Sequence, residues 1–392
     1  MKPTPSFPDP VPNPGPGTIA SHFGEDPQKY EGAATPPIYQ TSTFIYPDAE
    51  SFAALRDRSD RHTYTRVSNP TREILEAKIA RLEHGEWCEC HASGMGAITA
   101  AINACVSSGS HVVSVQNVYG PSRTYLKHLE RFGVATTYVQ GCRTEDFIAA
   151  FRPETRLLYL ESPTSGYFEC PEIGPLAAAA RQRGIVTMLD NSYASPIYMT
   201  PLDYGVDLVV HSATKYLNGH SDVVAGCVIG RSKELFEKVQ KETELGGATI
   251  DPFAAWLMLR GLRTLPVRMR HHQEAGLALA RALEKHAKVA RVLHPGLESH
   301  PQYATAKKQL RGYSSLFGVV LKDQSQAANF RFINGLKLFG QGVSWGGFES
   351  LAIGGTFFAH PPAPPEWLIR LYAGLESTED LVADVLQSLD GV

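Results

Sequence analysis

Lys215 stands in Ser212-Ala213-Thr214-Lys215, directly after the apolar run Val209-Val210-His211. A lysine is seldom buried without a partner. One partner that suits an amine at a strand end is an aldehyde cofactor held as a Schiff base. The plainer reading is a solvated lysine after an edge strand. Asp190 closes the run Ile185-Val186-Thr187-Met188-Leu189 one strand unit earlier, so a parallel sheet would bring the two residues to one edge. A carboxylate there can pair with a protonated pyridine nitrogen and keep pyridoxal phosphate (PLP) an electron sink. Alternatively, Asp190 caps the turn that begins Asn191-Ser192. The third element, Ser93-Gly94-Met95-Gly96, opens an apolar helical stretch. Small residues at a helix N-terminus let a phosphate reach free N–H groups, and the helix dipole favours the anion. A lone Gly-x-Gly says little. With Ser212 and Thr214 as hydroxyl donors, however, the three segments describe the phosphate, ring-nitrogen and imine ends of one PLP molecule.

Such a site needs a sheet to hold it. Short β-branched runs fall at His111 to Gln116, Val134 to Gln140, Thr155 to Glu161, Ile185 to Asp190 and Asp207 to His211. Helical patterns cover Gly94 to Val106, Ser122 to Phe132 and Ile173 to Arg183. This alternation predicts an α/β fold with a mostly parallel sheet between helices and ligands at the carboxyl ends of its strands. Asn69 and Pro70 are an N-cap and first helical residue for an apolar stripe ending at Gly85. Helices at Pro252 to Arg260 and Val267 to Ala287 lead into a smaller α+β portion with strands near Val289 to Leu293 and Leu316 to Leu321. A last helix starts at Ser377, where Ser377 and Asp380 resemble a capping box. The expected organisation is an N-terminal arm over 1–62 for subunit contacts, a large PLP-binding domain over 63–255 and a smaller C-terminal domain over 256–392. Seven of the first seventeen residues are proline, which predicts a disordered, extended segment over 1–17.

Composition narrows the function classes. The chain has 392 residues, 43% hydrophobic and 20% charged, with a formal charge of −3. That balance gives no global electrostatic case for nucleic acid or an anionic membrane. No stretch approaches the roughly 18 apolar residues of a membrane span, and a cytoplasmic location is expected. The six cysteines include no C-x-x-C pair. Cys88 and Cys90 with His84 and His91 match no familiar zinc spacing, so no metal is expected.

The sequence resembles the PLP enzymes of cysteine and methionine metabolism, of fold type I. The resemblance runs from about Thr35 to the end. It rests on Tyr64-Thr65-Arg66 leading to Asn69-Pro70-Thr71, on Ser93-Gly94-Met95 and Leu189-Asp190-Asn191-Ser192, and on His211-Ser212-Ala213-Thr214-Lys215-Tyr216 and Leu259-Arg260-Gly261-Leu262-Arg263-Thr264-Leu265. Within the family, Tyr119-Gly120-Pro121-Ser122 and the stretches Ser344 to Leu351 and Ile369 to Glu376 are most similar to the cystathionine β-lyase branch.

The resemblance implies a seven-stranded-type sheet and roles at matching positions. Lys215 would hold PLP and move the proton, Asp190 would pair with the pyridinium, and Tyr119 would stack on the ring. Gly94, Met95, Ser212 and Thr214 would hold the phosphate. Tyr64 and Arg66 would reach the phosphate of a neighbouring subunit in a homotetramer built from dimers with shared sites. Arg370 would clamp the substrate α-carboxylate, with Ser344 and Trp345 nearby. Arg370 can also be read as a solvated edge-strand residue, and Tyr119 and Trp345 as rim or core aromatics. The expected reaction is β-elimination of L-cystathionine to homocysteine, pyruvate and ammonia. Rival readings are γ-chemistry or cysteine and cystine desulfuration on the same scaffold, a noncatalytic binding protein, and a dinucleotide oxidoreductase, which lacks its Gly-x-Gly-x-x-Gly. Family γ-enzymes commonly carry Glu at the position of Val343 and tend to have Leu at that of Trp345. Both differences favour the β reaction.

Overall fold

The structure, a computed structural model, describes residues 7–54, 62–357 and 365–392. Its larger sheet comprises β1 (Trp87–His91), β2 (His111–Val115), β3 (Ala135–Val139), β4 (Thr155–Glu161), β5 (Val186–Asp190), β6 (Leu208–His211) and β7 (Gly226–Gly230). The spatial order is β1-β7-β6-β5-β4-β2-β3. Only β7 runs against its neighbours; the pairs β6/β5, β5/β4, β4/β2 and β2/β3 are parallel. The chain crosses from β1 at one edge to β2 and β3 at the other, then steps back through β4, β5 and β6. The carboxyl ends of β1, β4, β5 and β6 therefore share one edge with the start of β7. β2, β6 and β7 are buried along their whole lengths, as strands covered on both faces must be.

The smaller sheet comprises β8 (Val289–Leu293), β9 (Leu316–Leu321), β10 (Gly340–Gln341), β11 (Leu351–Phe357) and β12 (Glu366–Tyr372), ordered β10-β11-β12-β9-β8. Phe317, Val319, Ile369 and Leu371 from it join Leu279 and Leu283 of the helix Leu265–Glu284 and Leu381 and Val385 of the helix Thr378–Asp390 in a second core. The first turns of the helix Leu265–Glu284 place Leu265 and Met269 in the larger core. One continuous element thus ties the two cores together.

Several expectations are corrected. β1 and β7 were not foreseen, because Trp87-Cys88-Glu89-Cys90-His91 carries too little apolar periodicity to read as a strand. Glu89 is buried there with Arg72 3.9 Å away. The proline-rich segment is seated from Phe7 onward. Phe7 meets Phe23 edge-on at 6.1 Å, Asp9 accepts two 2.9 Å hydrogen bonds from Arg81, and a helix already begins at Pro16. A ring contact and a paired carboxylate supply what composition alone does not. Residues 1–6 of that expectation lie outside the described residues. Ser377 occupies the N-cap position of the last helix, but its side chain makes no capping bond, so the expected box is not formed. Asn69 does cap its helix, accepting from the Thr71 N–H at 2.9 Å.

Candidate active site

Asp190 ends β5 and pairs in register with Val210 on β6 and with Glu161 on β4. Lys215 lies in the turn after β6, where its N–H donates to the Ser212 carbonyl at 3.0 Å and its own carbonyl accepts from Gly219 at 2.8 Å. Buried Arg268 secures that turn, donating to the carbonyls of Tyr216 and Gly261 at 2.9 Å each. The Lys215 Nζ donates to the Ser344 Oγ at 3.0 Å and lies 5.6 Å from the centre of the Trp345 ring. Burial lowers its pKa, the positive charge of Arg370 lowers it further, and Asp190 opposes both.

Asp190 is 7% exposed and accepts from the Ser192 N–H at 2.9 Å. Burial pushes its carboxyl above the ordinary range, against Ser192 and the neighbouring His211 and Lys215. His211 supports the strand from its other side. Its Nε2 meets the Glu83 Oε1 at 2.6 Å, and the same oxygen accepts from the Asn191 side chain at 2.7 Å. Burial works to lower the His211 pKa, but the Glu83 carboxylate outweighs it and leaves the pKa raised. Sequence reading missed Glu83, which lies at the end of the helix Pro70–Leu82 and shows no local signal of pointing at this strand.

The expected phosphate end is built around the start of the helix Gly94–Asn103. Ser93 is extended and caps the helix Gly94–Asn103, its Oγ accepting from the Gly96 N–H at 3.0 Å. The N–H groups of Gly94 and Met95 therefore lack an intrahelical partner. A Cβ on Gly94 would stand 3.0 Å from the Ser212 Oγ, and one on Gly226 would stand 2.3 Å from the Ser93 carbonyl oxygen. The helix start is thus pressed against Ser212 with no room for side chains. Thr214 also has local partners: its hydroxyl donates to the Ala225 carbonyl at 3.1 Å and accepts from the Ala225 N–H at 2.9 Å. A hydroxyl has one proton, and here that proton closes the loop between β6 and β7.

Arg370 reaches the site from β12, donating to the carbonyls of Val343 and Ser344 at 2.6 and 3.1 Å. Burial lowers its pKa to about 10, against the pull of Tyr119, so it is charged at neutral pH. Tyr119 begins the helix Gly120–Leu129 on the same edge, with Asp190, Glu161 and Arg370 all within electrostatic reach of its phenol. Tyr64 and Arg66 make their contacts elsewhere. Arg66 donates to the Glu244 carbonyl at 2.8 Å and lies 5.7 Å from the Tyr64 ring centre. Val343 is 83% exposed. We predict that Arg370→Lys, which loses the planar two-pronged donor, lowers kcat/KM roughly 10- to 100-fold, mainly through KM. Steady-state kinetics checks it.

Gly346 is a residue that sequence patterns do not reveal. It has φ +88°, and a Cβ there would stand 2.8 Å from backbone atoms of Lys215. Gly346→Ala should cost about 1–3 kcal/mol from the left-handed conformation, before the clash is counted. Gly246→Ala, with open space around its Cβ position, should leave the denaturation midpoint near that of the parent.

These features test the cofactor on the chain itself. A desolvated amine, a buried carboxylate on the adjacent strand and a small-residue helix start against Ser212 fit the three polar ends of PLP. Such a site at the carboxyl edge of a mainly parallel sheet, with a smaller domain supplying an arginine, defines a PLP-dependent enzyme of fold type I. The chain belongs to the Cys/Met metabolism PLP-dependent enzyme family, which it matches over residues 17–390, and PLP is its cofactor. It is 39% identical over 389 residues to the L-methionine gamma-lyase of Pseudomonas putida, covering 96% of this chain and 97% of that protein. The cystathionine gamma-lyase of Dictyostelium discoideum is 38% identical over 387 residues, covering 95% and 97%. Among solved structures, metB from Corynebacterium glutamicum superposes with a TM-score of 0.89 at 31% identity, covering 96% of this chain and 98% of that one. The expected family is met, whereas these relatives do not single out the expected β-lyase branch. Among the described residues, no helix is long and apolar enough to cross a membrane.

Proposed function

We propose that the chain is a carbon–sulfur lyase that eliminates a thiol from Cγ of a sulfur amino acid, releasing 2-oxobutyrate and ammonia. The observation that carries a lyase reading is the cluster around Lys215, whose amine bonds to Ser344 while the Ser344 carbonyl holds Arg370. A base and a carboxylate-binding cation are thereby set on one strap. Full-length similarity to a methionine and a cystathionine γ-lyase supports elimination at Cγ.

When bound, PLP supplies the electron sink that delocalises negative charge from the substrate Cα. Arg370 binds and orients the α-carboxylate through paired N–H donors. Lys215 takes the Cα proton, and its lowered pKa enlarges the unprotonated fraction near neutral pH. Loss of a thiol from Cγ needs a second proton off Cβ, which the same amine can relay. Burial, with Asp190 and Glu161 beside it, raises the Tyr119 pKa. Its phenol thus stays protonated and can donate to the departing thiolate.

A second reading, β-elimination of L-cystathionine, is favoured by Trp345 and Val343, where family γ-enzymes tend to have Leu and Glu. Trp345 narrows the space beside the Lys215 amine. Product analysis separates the two. The γ reaction turns L-cystathionine into cysteine, 2-oxobutyrate and ammonia, and L-methionine into methanethiol, 2-oxobutyrate and ammonia. Homocysteine with pyruvate would establish the β reaction instead.

A further inference from the structure

We infer that Glu161 is a positioning residue of this site: from the carboxyl end of β4 it pins the start of the helix that carries Tyr119 and so fixes that phenol beside Asp190. The inference rests on reading Lys215, Asp190 and Tyr119 as the cofactor site. Glu161 is 7% exposed, and both of its oxygens are engaged. Oε2 accepts from the Tyr119 N–H at 2.7 Å, and Oε1 accepts from the Ser165 Oγ at 2.5 Å. Tyr119 needs such an anchor. It is the N-cap residue of the helix Gly120–Leu129, its side chain makes no capping bond, and the residue is 43% exposed. Glu161 holds the Tyr119 backbone, and with it the point from which the phenol extends.

The choice of a carboxylate for this task is costly. Glu161 lies in register with Asp190 on the neighbouring strand. Burial first, and then the Asp190 charge, raise its pKa to about 8, against the hydrogen bonds from Ser165 and Tyr119. An apolar residue at the end of β4 would avoid both penalties but would leave the Tyr119 N–H without its acceptor. Two acidic groups pressed together at strand ends are the kind of unfavourable pairing that sites retain for use. The mechanism above does not employ Glu161 on substrate, which leaves the Tyr119 backbone as the group it serves.

The test uses the PLP-loaded enzyme and two readouts: circular dichroism of the cofactor's visible band, and the split between KM and kcat. Glu161→Ala should keep the visible absorbance, lose roughly half or more of the dichroism and raise KM about tenfold, the scale of one buried hydrogen bond. Glu161→Gln retains an acceptor for the Tyr119 N–H and should recover most of both. In a Tyr119→Ala background, Glu161→Ala should add less than about twofold, because the two act as one unit. Unchanged dichroism and KM in Glu161→Ala, or effects that multiply in the double variant, would overturn the inference. If Glu161→Ala does not fold, Ser165→Ala, which loosens the carboxylate, should lower the dichroism in the same direction; no change there also overturns it. A parent protein that binds no PLP would instead defeat the reading of the site itself.

Discussion

Lys215→Ala is expected to lose the visible absorbance of covalently held cofactor and to lower turnover by at least about 10⁴-fold, since under the proposed mechanism both the covalent anchor and the general base disappear. The structure makes this loss specific. The amine is desolvated, bonds to Ser344 and lies among Asp190, Arg370 and Trp345. The turn itself should survive, because its backbone is held by Arg268 and by the bonds to Ser212 and Gly219. The denaturation midpoint of the cofactor-free variant should therefore stay near that of the parent. Absorbance before and after borohydride treatment, with a keto-acid assay, checks the prediction. Substantial keto-acid production by the variant would remove Lys215 from the mechanism.

Asp190→Asn should act in opposite directions on activity and stability. An amide cannot balance a ring-nitrogen charge, so kcat should fall roughly 10²- to 10⁴-fold, the scale of breaking a buried charge pair at about 3–5 kcal/mol. Stability follows from linkage. The Asp190 pKa is raised in the folded state, chiefly by burial. Its contribution to folding is therefore present below the unfolded pKa and lost as pH rises through the folded pKa. Above that folded pKa the buried carboxylate costs the cofactor-free fold stability, a cost the amide does not carry. The cofactor-free variant should melt at or above the parent temperature at neutral pH, with the difference shrinking in acid. A variant that keeps full kcat would mean that Asp190 only caps its turn.

Much of this site can be read in the sequence because its main parts are local. β4, β8 and β9 match the expected runs at Thr155–Glu161, Val289–Leu293 and Leu316–Leu321, where apolar and β-branched residues concentrated in short runs carry the signal. The adjacency of Asp190 and Lys215 follows from consecutive parallel strands, since each returns to the same edge. The Asn69-Pro70 and Ser93-Gly94 helix starts are likewise written in a few neighbouring residues.

Tertiary structure decided the rest, wherever a residue's role depends on a partner far along the chain. Arg370 joins the site because β12 sets its guanidinium against the carbonyls of Val343 and Ser344, whereas residue types alone leave a solvated edge arginine as an alternative. β1 is buried throughout although it carries Glu89 and His91, and Arg72 lies 3.9 Å from the Glu89 carboxylate. Thr214 stands beside Lys215 in sequence, but only the fold shows that its hydroxyl also bridges to Ala225 across the β6–β7 loop. Glu161 and Gly346 are silent in sequence for the same reason. Spacing along a chain encodes periodicity and caps, but the meaning of a buried carboxylate or a positive-φ glycine is set by what folding brings against it.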